Sequence, residues 1–341
     1  MPRAEDSPQT APAGQDASRC ALLTGLSGQD GSYLAELLLE QGYELAALVH
    51  GQVDGPLGCS EHLREHVRLL AGDLLDPDSL RRAVHETHPQ EIYHLAAPSF
   101  IPSSWDDPTQ TLSAIAGSTA ALLGAIRDID PDIRLFVSAS GAMYGRTPES
   151  PQNEQTPCRP TNPYAVAKLA AHQLVGAFRS QYGLYACSGI LFNHESERRP
   201  ERFVTRRIAR GAAAISLGLR HELTLGDLGA VRDWSFAGDI VRGAWMMLQQ
   251  PQPQDYVLAS GVGRTVAELA RAAFASVELD ADRYLRVDPQ LVRASDETVS
   301  VGDPTKARTE MGWQPQVGFE ELVAHMVAAD RLALQGQPGR S

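Results

Sequence analysis

ALLTGLSGQDGSYLAELLLEQG, residues Ala21–Gly42, leads from a short apolar run through Gly25, Gly28 and Gly31 into a segment with helical periodicity. A buried strand that ends in such a turn brings backbone N–H groups close to an anion, and the dipole at the start of the next helix favours negative charge. The stretch predicts a cradle for a dinucleotide pyrophosphate built from Gly25, Gly28, Gln29, Asp30 and Gly31. Its Gly-x-x-Gly-x-x-Gly spacing differs from the commoner fingerprint, so a second motif is needed to fix the chemistry.

That motif is Tyr164-x-x-x-Lys168, within PTNPYAVAKLAAHQLVGAFRSQYG, a segment patterned as a helix. Residues four apart on a helix share a face. A nearby ammonium favours a phenolate, which makes Tyr164 a candidate base and Lys168 its partner. Upstream, LFVSASGAMYG at Leu135–Gly145 reads as a strand ending in Ser138 and Ser140, whose hydroxyls are candidates to hydrogen-bond the same substrate oxygen. Singly, these features have plainer readings: turn glycines before an ordinary helix, or a half-buried tyrosine beside a solvated lysine. Together, and in this order, they mark Ser140, Tyr164 and Lys168 as the catalytic residues of a hydride-transfer site.

The combination resembles the extended short-chain dehydrogenase/reductase superfamily and, within it, the GDP-mannose 4,6-dehydratases. The most specific parts are ALLTGLSGQDGSYLAE, GILFNHESERRPERFVTRRIARG, LTLGDLGAVRDWSFAGDIVRGAWMMLQQ and VGDPTKARTEMGWQP, so the likeness runs from about residue 20 to about residue 332. NHES followed by RR and FVTRR is nearer to the GDP-mannose enzymes than to UDP- or dTDP-sugar relatives. The resemblance implies an NAD(P) cofactor that stays bound and is recycled, and a nucleotide-diphosphate sugar as substrate, with GDP the expected nucleotide. On the cofactor side it implies Asp73 and Leu74 near the adenine, with Leu95 and Ala97 along the ribose. On the substrate side it implies Asn193 at the diphosphate, Val204 beside the base, Arg207 at the guanine, and Arg232 and Arg293 at the pyrophosphate or ribose. Arginine suits phosphate because its fork donates two hydrogen bonds at once.

Three departures from the family pattern matter. At the end of the second strand, LVHGQ offers neither an acid to chelate the ribose of NAD nor an arginine to pair a 2′-phosphate. His50 and Gly51 stand where the family has a basic pair and uses NADP. NADP is the expected cofactor because the acidic chelator is missing, with His50 as a candidate contact. That basic loop also supports tetramer contacts in the family, so a dimer is the expected oligomer here. Glu197 and Pro200 flank Arg198-Arg199 where the family has Pro and Gly, a change expected to reshape the sugar end. In SASGAMYG, finally, the dehydratases read ASTSELYG. Their Thr becomes Ser140, their Ser becomes Gly141, and the Glu that acts on C5 and the departing C6 hydroxyl becomes Ala142.

An alanine transfers no proton, and a positioned acid/base is worth roughly 10²–10⁴ in rate. Oxidation at C4 survives this loss, and the favoured outcome on sequence grounds is C4 epimerisation, which needs no second base. The alternatives are 4,6-elimination through a substitute group such as Glu195, His194 or Cys187 or on an unusual sugar, and reduction of a 4-keto sugar. A silent dinucleotide sensor would not be expected to keep both Tyr164 and Lys168.

Strand-like runs at Cys20–Thr24, Glu44–Val49, Val67–Ala71, Glu91–Leu95 and Arg134–Ser138 alternate with helical patterns at Tyr33–Gln41, Asp78–His85 and Thr111–Asp128. This succession predicts an α/β fold: a Rossmann-type, doubly wound parallel sheet with a smaller, interleaved C-terminal substrate lobe. Residues 1–18 read as a disordered tail, 19–192 as the dinucleotide-binding domain and 193–335 as the lobe. Within the lobe, about 235–275 returns to the main sheet, and 336–341 forms a second tail. The 341 residues carry a net charge of −12 without a Lys/Arg run, which argues against nucleic acid or an anionic membrane as a partner. Cys20, Cys59, Cys158 and Cys187 are scattered, so neither metal nor disulfides are expected. No apolar run reads as a membrane span, and the acidic, Pro-containing N-terminus does not read as a signal peptide; a cytoplasmic protein is expected.

Overall fold

The computed structural model describes residues 19–291 and 299–336. The first half alternates β1 (Cys20–Thr24), α1 (Gln29–Glu40), β2 (Glu44–His50), β3 (Val67–Gly72), α2 (Pro77–Thr87), β4 (Glu91–His94), α3 (Pro108–Leu112), α4 (Ser118–Ile129) and β5 (Arg134–Ser140). Next come α5 (Pro163–Tyr182), β6 (Ala186–Leu191), β7 (Asn193–Glu195), α6 (Val204–Ser216), β8 (Leu223–Leu225), β9 (Val231–Phe236), α7 (Ala237–Leu248) and β10 (Tyr256–Leu258). The chain ends with β11 (Gly263–Thr265), α8 (Val266–Ala275), α9 (Ala281–Tyr284), β12 (Leu285–Val287), α10 (Thr305–Met311) and α11 (Phe319–Gln335).

Seven parallel strands make the main sheet in the order β10-β6-β5-β4-β1-β2-β3. Strand order reverses between β1 and β4, and in such sheets ligands bind beyond the carboxyl ends of the strands at that switch. Both faces are covered, which is why β1 and β5 read as continuous apolar runs. One face packs under α1 and α7, with Leu34, Leu38, Met247 and Trp313 in its core. The other lies under α2, α4 and α5, with Leu80, Leu122, Ile126 and Val175. Each fully buried leucine here contributes roughly 2 kcal/mol.

The lobe has its own core, in which α6, α8 and α11 bury Ile208, Leu269, Phe274 and Met326. β7 and β9 run parallel, β11 joins β9 antiparallel, and β8 pairs with β12. The return to the main sheet is shorter than 235–275: α7 and β10 belong to it, whereas β11 and α8 belong to the lobe. A later segment also returns, since Ala307, Met311 and Trp313 pack in the core beneath α7, and the Trp313 indole donates to Asp239 O at 2.9 Å.

Two helices differ from the sequence pattern. α1 starts at Gln29, four residues before Tyr33, because the polar Gln29 and Asp30 that read as turn are satisfied by another part of the chain. The helix expected over Thr111–Asp128 begins at Pro108 and contains a π turn at Ser113–Gly117 before α4. The 22-residue stretch Pro108–Ile129 is long and apolar enough to cross a membrane by length and composition alone, and half of its apolar window is buried inside this fold. In this fold α4 packs against α2 and α5.

Candidate active site

α5 is built to hold Tyr164 and Lys168 at a fixed height over the sheet. Asn162 caps it, its side chain accepting the Ala165 N–H at 2.9 Å, and Pro163 sets the first-turn backbone. Tyr164 and Lys168 are both buried against β5. Lys168 Nζ donates to Ser138 O at 2.6 Å and to Ser138 Oγ at 3.1 Å, and lies 5.9 Å from the centre of the Tyr164 ring. Ser138 therefore supports the lysine, its own hydroxyl donating to His94 O at 3.2 Å, and is not a second hydroxyl for the substrate. Ser140, at the end of β5, accepts the Ala142 N–H at 3.2 Å, and its hydroxyl acts on the Tyr164 phenol so as to favour the phenolate.

Burial brings the Lys168 ammonium down to about 8, opposed by the charge of Asp30. Burial raises the Tyr164 phenol; Ser140 and Arg199 act against this, and Asp30 adds to it. The groups that favour the phenolate are thus Ser140 and Arg199, a residue that sequence reasoning passed over. Arg199 stacks 3.6 Å from the Phe203 ring centre and pairs with Glu195 at 3.1 Å.

The glycine turn fits a dinucleotide pyrophosphate. Gly25 has φ +89°, and a Cβ there would meet Ala96 N at 2.8 Å; a Cβ on Gly31 would collide with the Gly25 carbonyl. Gly28 precedes α1 with no side-chain cap, so the first N–H groups of the helix point out of the turn for an anion to receive. The segment beyond β4 that carries Leu95 and Ala97 is held by the Thr24 hydroxyl, which accepts the Ala96 N–H at 3.2 Å and lies 2.8 Å from His94 Nδ1. At the far end, His50 is highly exposed and its Nδ1 lies 3.6 Å from Asp73 Oδ2. Leu74 packs at the edge of the α2/α4 core.

The side chains of Gln29 and Asp30 turn away from the anion position toward β7, leaving their backbones to the cradle. Gln29 Nε2 donates to His194 O at 3.1 Å, and Ser196 Oγ donates to Gln29 Oε1 at 2.8 Å. Asp30 Oδ2 lies 2.9 Å from His194 Nε2. Farther along α1, Arg198 donates to Ser32 Oγ at 2.9 Å and to Glu36 at 2.8 Å, and the Tyr33 hydroxyl donates to Glu197 at 2.7 Å. GQDGSY and NHESERR thus form one interlocked joint. Its signal in the sequence is a run of polar residues inside what is otherwise an apolar helix start.

On the substrate side, Asn193 opens β7, in register with Trp234 of β9, and Val204 opens α6 exposed. Arg207 donates to Thr224 O at 3.1 Å and Arg232 to Val231 O at 2.8 Å, which sets both around the β8–β9 side of the lobe. Arg293 lies outside the described residues. Asp233, unremarked in the sequence, is fully buried and accepts the N–H groups of Ser260 at 2.8 Å and Gly261 at 2.9 Å, fixing β9 beneath Arg232. Of the three substitute groups considered for elimination, Cys187 sits in the main core with its thiol donating to Leu135 O, and burial pushes that thiol far up. Glu195 is buried and committed to Arg199 and to Thr205, whose hydroxyl donates to it at 2.6 Å. His194 is tied to Asp30.

The parallel sheet, the glycine turn and the Ser140, Tyr164, Lys168 grouping are those of an enzyme of the extended short-chain dehydrogenase/reductase class. The chain belongs to the GDP-mannose 4,6-dehydratase family, whose model matches residues 22–326. It is 42% identical over 324 residues to GDP-mannose 4,6 dehydratase 1 of Arabidopsis thaliana, covering 92% of this chain and 90% of that protein. It is 41% identical to the GDP-mannose 4,6-dehydratase of Yersinia enterocolitica, covering 91% and 93% of the two chains. Among solved structures, the UDP-glucose 4-epimerase of Thermus thermophilus in complex with NAD superposes with a TM-score of 0.79 at 29% identity, covering 92% of this chain and 99% of that one.

Proposed function

We propose that this enzyme oxidises a GDP-hexose at C4 and then eliminates water across C5 and C6, as the names of its relatives describe. The observation that carries this reading is the 42% identity to a GDP-mannose dehydratase over nearly the whole chain. It displaces the preference for epimerisation drawn from Ala142 alone. Tyr164 would take the proton of the C4 hydroxyl while Ser140 holds that oxygen, and Lys168 would keep the site cationic. A nicotinamide dinucleotide held by the Gly25–Gly31 turn and the start of α1 would supply reversible hydride chemistry at the sugar. Elimination also needs a proton removed from C5 and one delivered to the C6 hydroxyl, so that it leaves as water.

A second reading, C4 epimerisation, keeps support from one specific feature: Ala142 brings no acid, and neither Cys187 nor Glu195 is unpartnered. Incubating the enzyme with GDP-mannose and NADP, followed by mass and NMR analysis, separates the two. A product lighter by one water supports elimination; unchanged mass with a moved C4 proton signal would replace it with epimerisation.

For the cofactor we propose NADP, supported by the absence of an acid at the end of β2. Gly51, with φ +81°, is a poor place to test this, since a side chain in that conformation costs roughly 1–2 kcal/mol. His50→Arg adds the charge on ordinary strand backbone and is expected to favour NADP over NAD by about tenfold in binding titrations. An unchanged ratio would mean that the end of β2 does not approach the 2′ position. We also propose a homodimer, supported by the exposed Leu112 and Val166 on the packed pair α3 and α5.

A further inference from the structure

A buried chain of hydrogen bonds runs across the carboxyl ends of β5, β4 and β1, from Lys168 to the loop after β4. Lys168 Nζ donates to Ser138 O at 2.6 Å and to Ser138 Oγ at 3.1 Å. The Ser138 hydroxyl donates its own proton to His94 O at 3.2 Å, which turns its lone pairs toward the ammonium. The His94 ring lies between Thr24 Oγ1, 2.8 Å from Nδ1, and Ser118 Oγ, 2.9 Å from Nε2. Ser118 donates to Ala114 O at 2.7 Å, so it accepts from the imidazole Nε2–H, and Nδ1 accepts from the Thr24 hydroxyl. Burial, together with the charge of Lys168, brings the imidazole down to about 3 and keeps it in this neutral form. Thr24 in turn accepts the Ala96 N–H at 3.2 Å. All five side chains, of Lys168, Ser138, His94, Ser118 and Thr24, are buried.

We propose that Ser138 and His94 are positioning residues, joined with Thr24 in one girder that holds the Lys168 ammonium in register with the dinucleotide cradle. The inference rests on Lys168 belonging to the hydride-transfer site. Thr24 is the last residue of β1, directly before Gly25 of the turn, and Ala96 stands between Leu95 and Ala97. A Cβ on Gly25 would sit 2.8 Å from Ala96 N, so turn and loop are already pressed together at the girder's far end. An ammonium has three N–H groups, of which Ser138 receives two, leaving one for a ligand oxygen beyond the strand ends, where such sheets bind their cofactors. Any slip of β5 against β4 or β1 would therefore move the catalytic charge relative to the bound dinucleotide. The Ser138 hydroxyl is an addition to the family pattern, since ASTSELYG, aligned as above, has alanine opposite Ser138. With alanine at this position only the backbone acceptor would remain.

The test is a double-mutant cycle read on cofactor release, with the full-length protein loaded with NADPH and the nucleotide fluorescence followed after addition of excess NADP. Ser138→Ala is expected to speed release by about tenfold, the effect of removing one hydrogen bond to a charged group. In the Lys168→Met background there is no ammonium to seat, and the same substitution should change release by less than about twofold. Thr24→Val breaks the girder at its other end; combined with Ser138→Ala it should exceed the larger single effect by no more than about twofold, because the contacts act as a unit. Ser188→Ala should leave release unchanged: it removes a buried hydroxyl beside Val137 on the neighbouring β6, whose Oγ makes no hydrogen bond among the described residues.

Turnover supplies a second readout, in which Ser138→Ala lowers kcat by about tenfold and leaves KM for GDP-mannose within about twofold. An equal effect of Ser138→Ala with and without Lys168, or fully multiplicative effects of Ser138→Ala and Thr24→Val, would overturn the proposal and make Ser138 an ordinary core hydroxyl. Unchanged release and turnover in Lys168→Met would overturn the reading of the site, and the proposal with it. If Thr24→Val does not fold, the cycle with Lys168 decides. If GDP-mannose is not turned over, the release series decides without catalysis.

Discussion

Tyr164→Phe is expected to lower turnover by about 10²–10⁴ while leaving GDP binding unchanged. The substitution removes one hydroxyl from a buried ring on the first turn of α5, and the ring keeps its place in the core beneath that helix. What goes is the base, on which Ser140 acts to favour the phenolate. Loss of a single polar interaction costs about 1 kcal/mol, too little to unfold the domain. Steady-state rates and calorimetric titration with GDP, measured side by side, check the two halves of the expectation. Turnover within a few-fold of the parent would remove Tyr164 from the chemistry and with it hydride transfer at C4 as read here. Lost GDP binding would mean that the phenol supports the nucleotide site.

Ala142→Glu carries the second large effect. Ala142 lies two residues beyond Ser140, its N–H bonded to the Ser140 hydroxyl at 3.2 Å, and it packs on the same core as Tyr164. A carboxyl at this position returns the acid/base of the family pattern beside the C4 site, so water loss from GDP-mannose should rise by about 10² or more. The added bulk and charge cost about 1–2 kcal/mol. The single substitution is preferable to one paired with Gly141→Ser, because a Cβ on Gly141 would press on the Phe192 ring at 3.1 Å. That ring stacks on Tyr144, with 6.1 Å between centroids, and has little room to yield. A folded Ala142→Glu protein that binds GDP-mannose and eliminates no faster than the parent would show that the sugar framework or another acid governs the reaction.

The alternation of apolar runs and helical patterns was enough to place every strand of the first half to within two residues, because strands buried on both faces have to be apolar throughout. The glycine spacing and the Tyr164/Lys168 interval were equally legible, since each depends on local backbone geometry. α1 was misread at its start. Gln29, Asp30 and Ser32 look like turn residues until His194, Ser196 and Arg198, more than 160 positions away, are brought against them.

By itself, the sequence determined the parallel α/β class, the dinucleotide turn and the family, because these rest on periodicity and on short motifs whose geometry is local. Only the tertiary structure decided which polar groups are committed and which face the site. It turned Ser138 into the support of Lys168, tied Glu195 to Arg199, sank Cys187 into the core, and set Arg199 and Asp30 as the opposing charges around Tyr164. The reason is that the state of a buried ionisable group depends on desolvation and on neighbours a few ångströms away, and those neighbours come from β7, α1 and α5, which no interval along the chain relates.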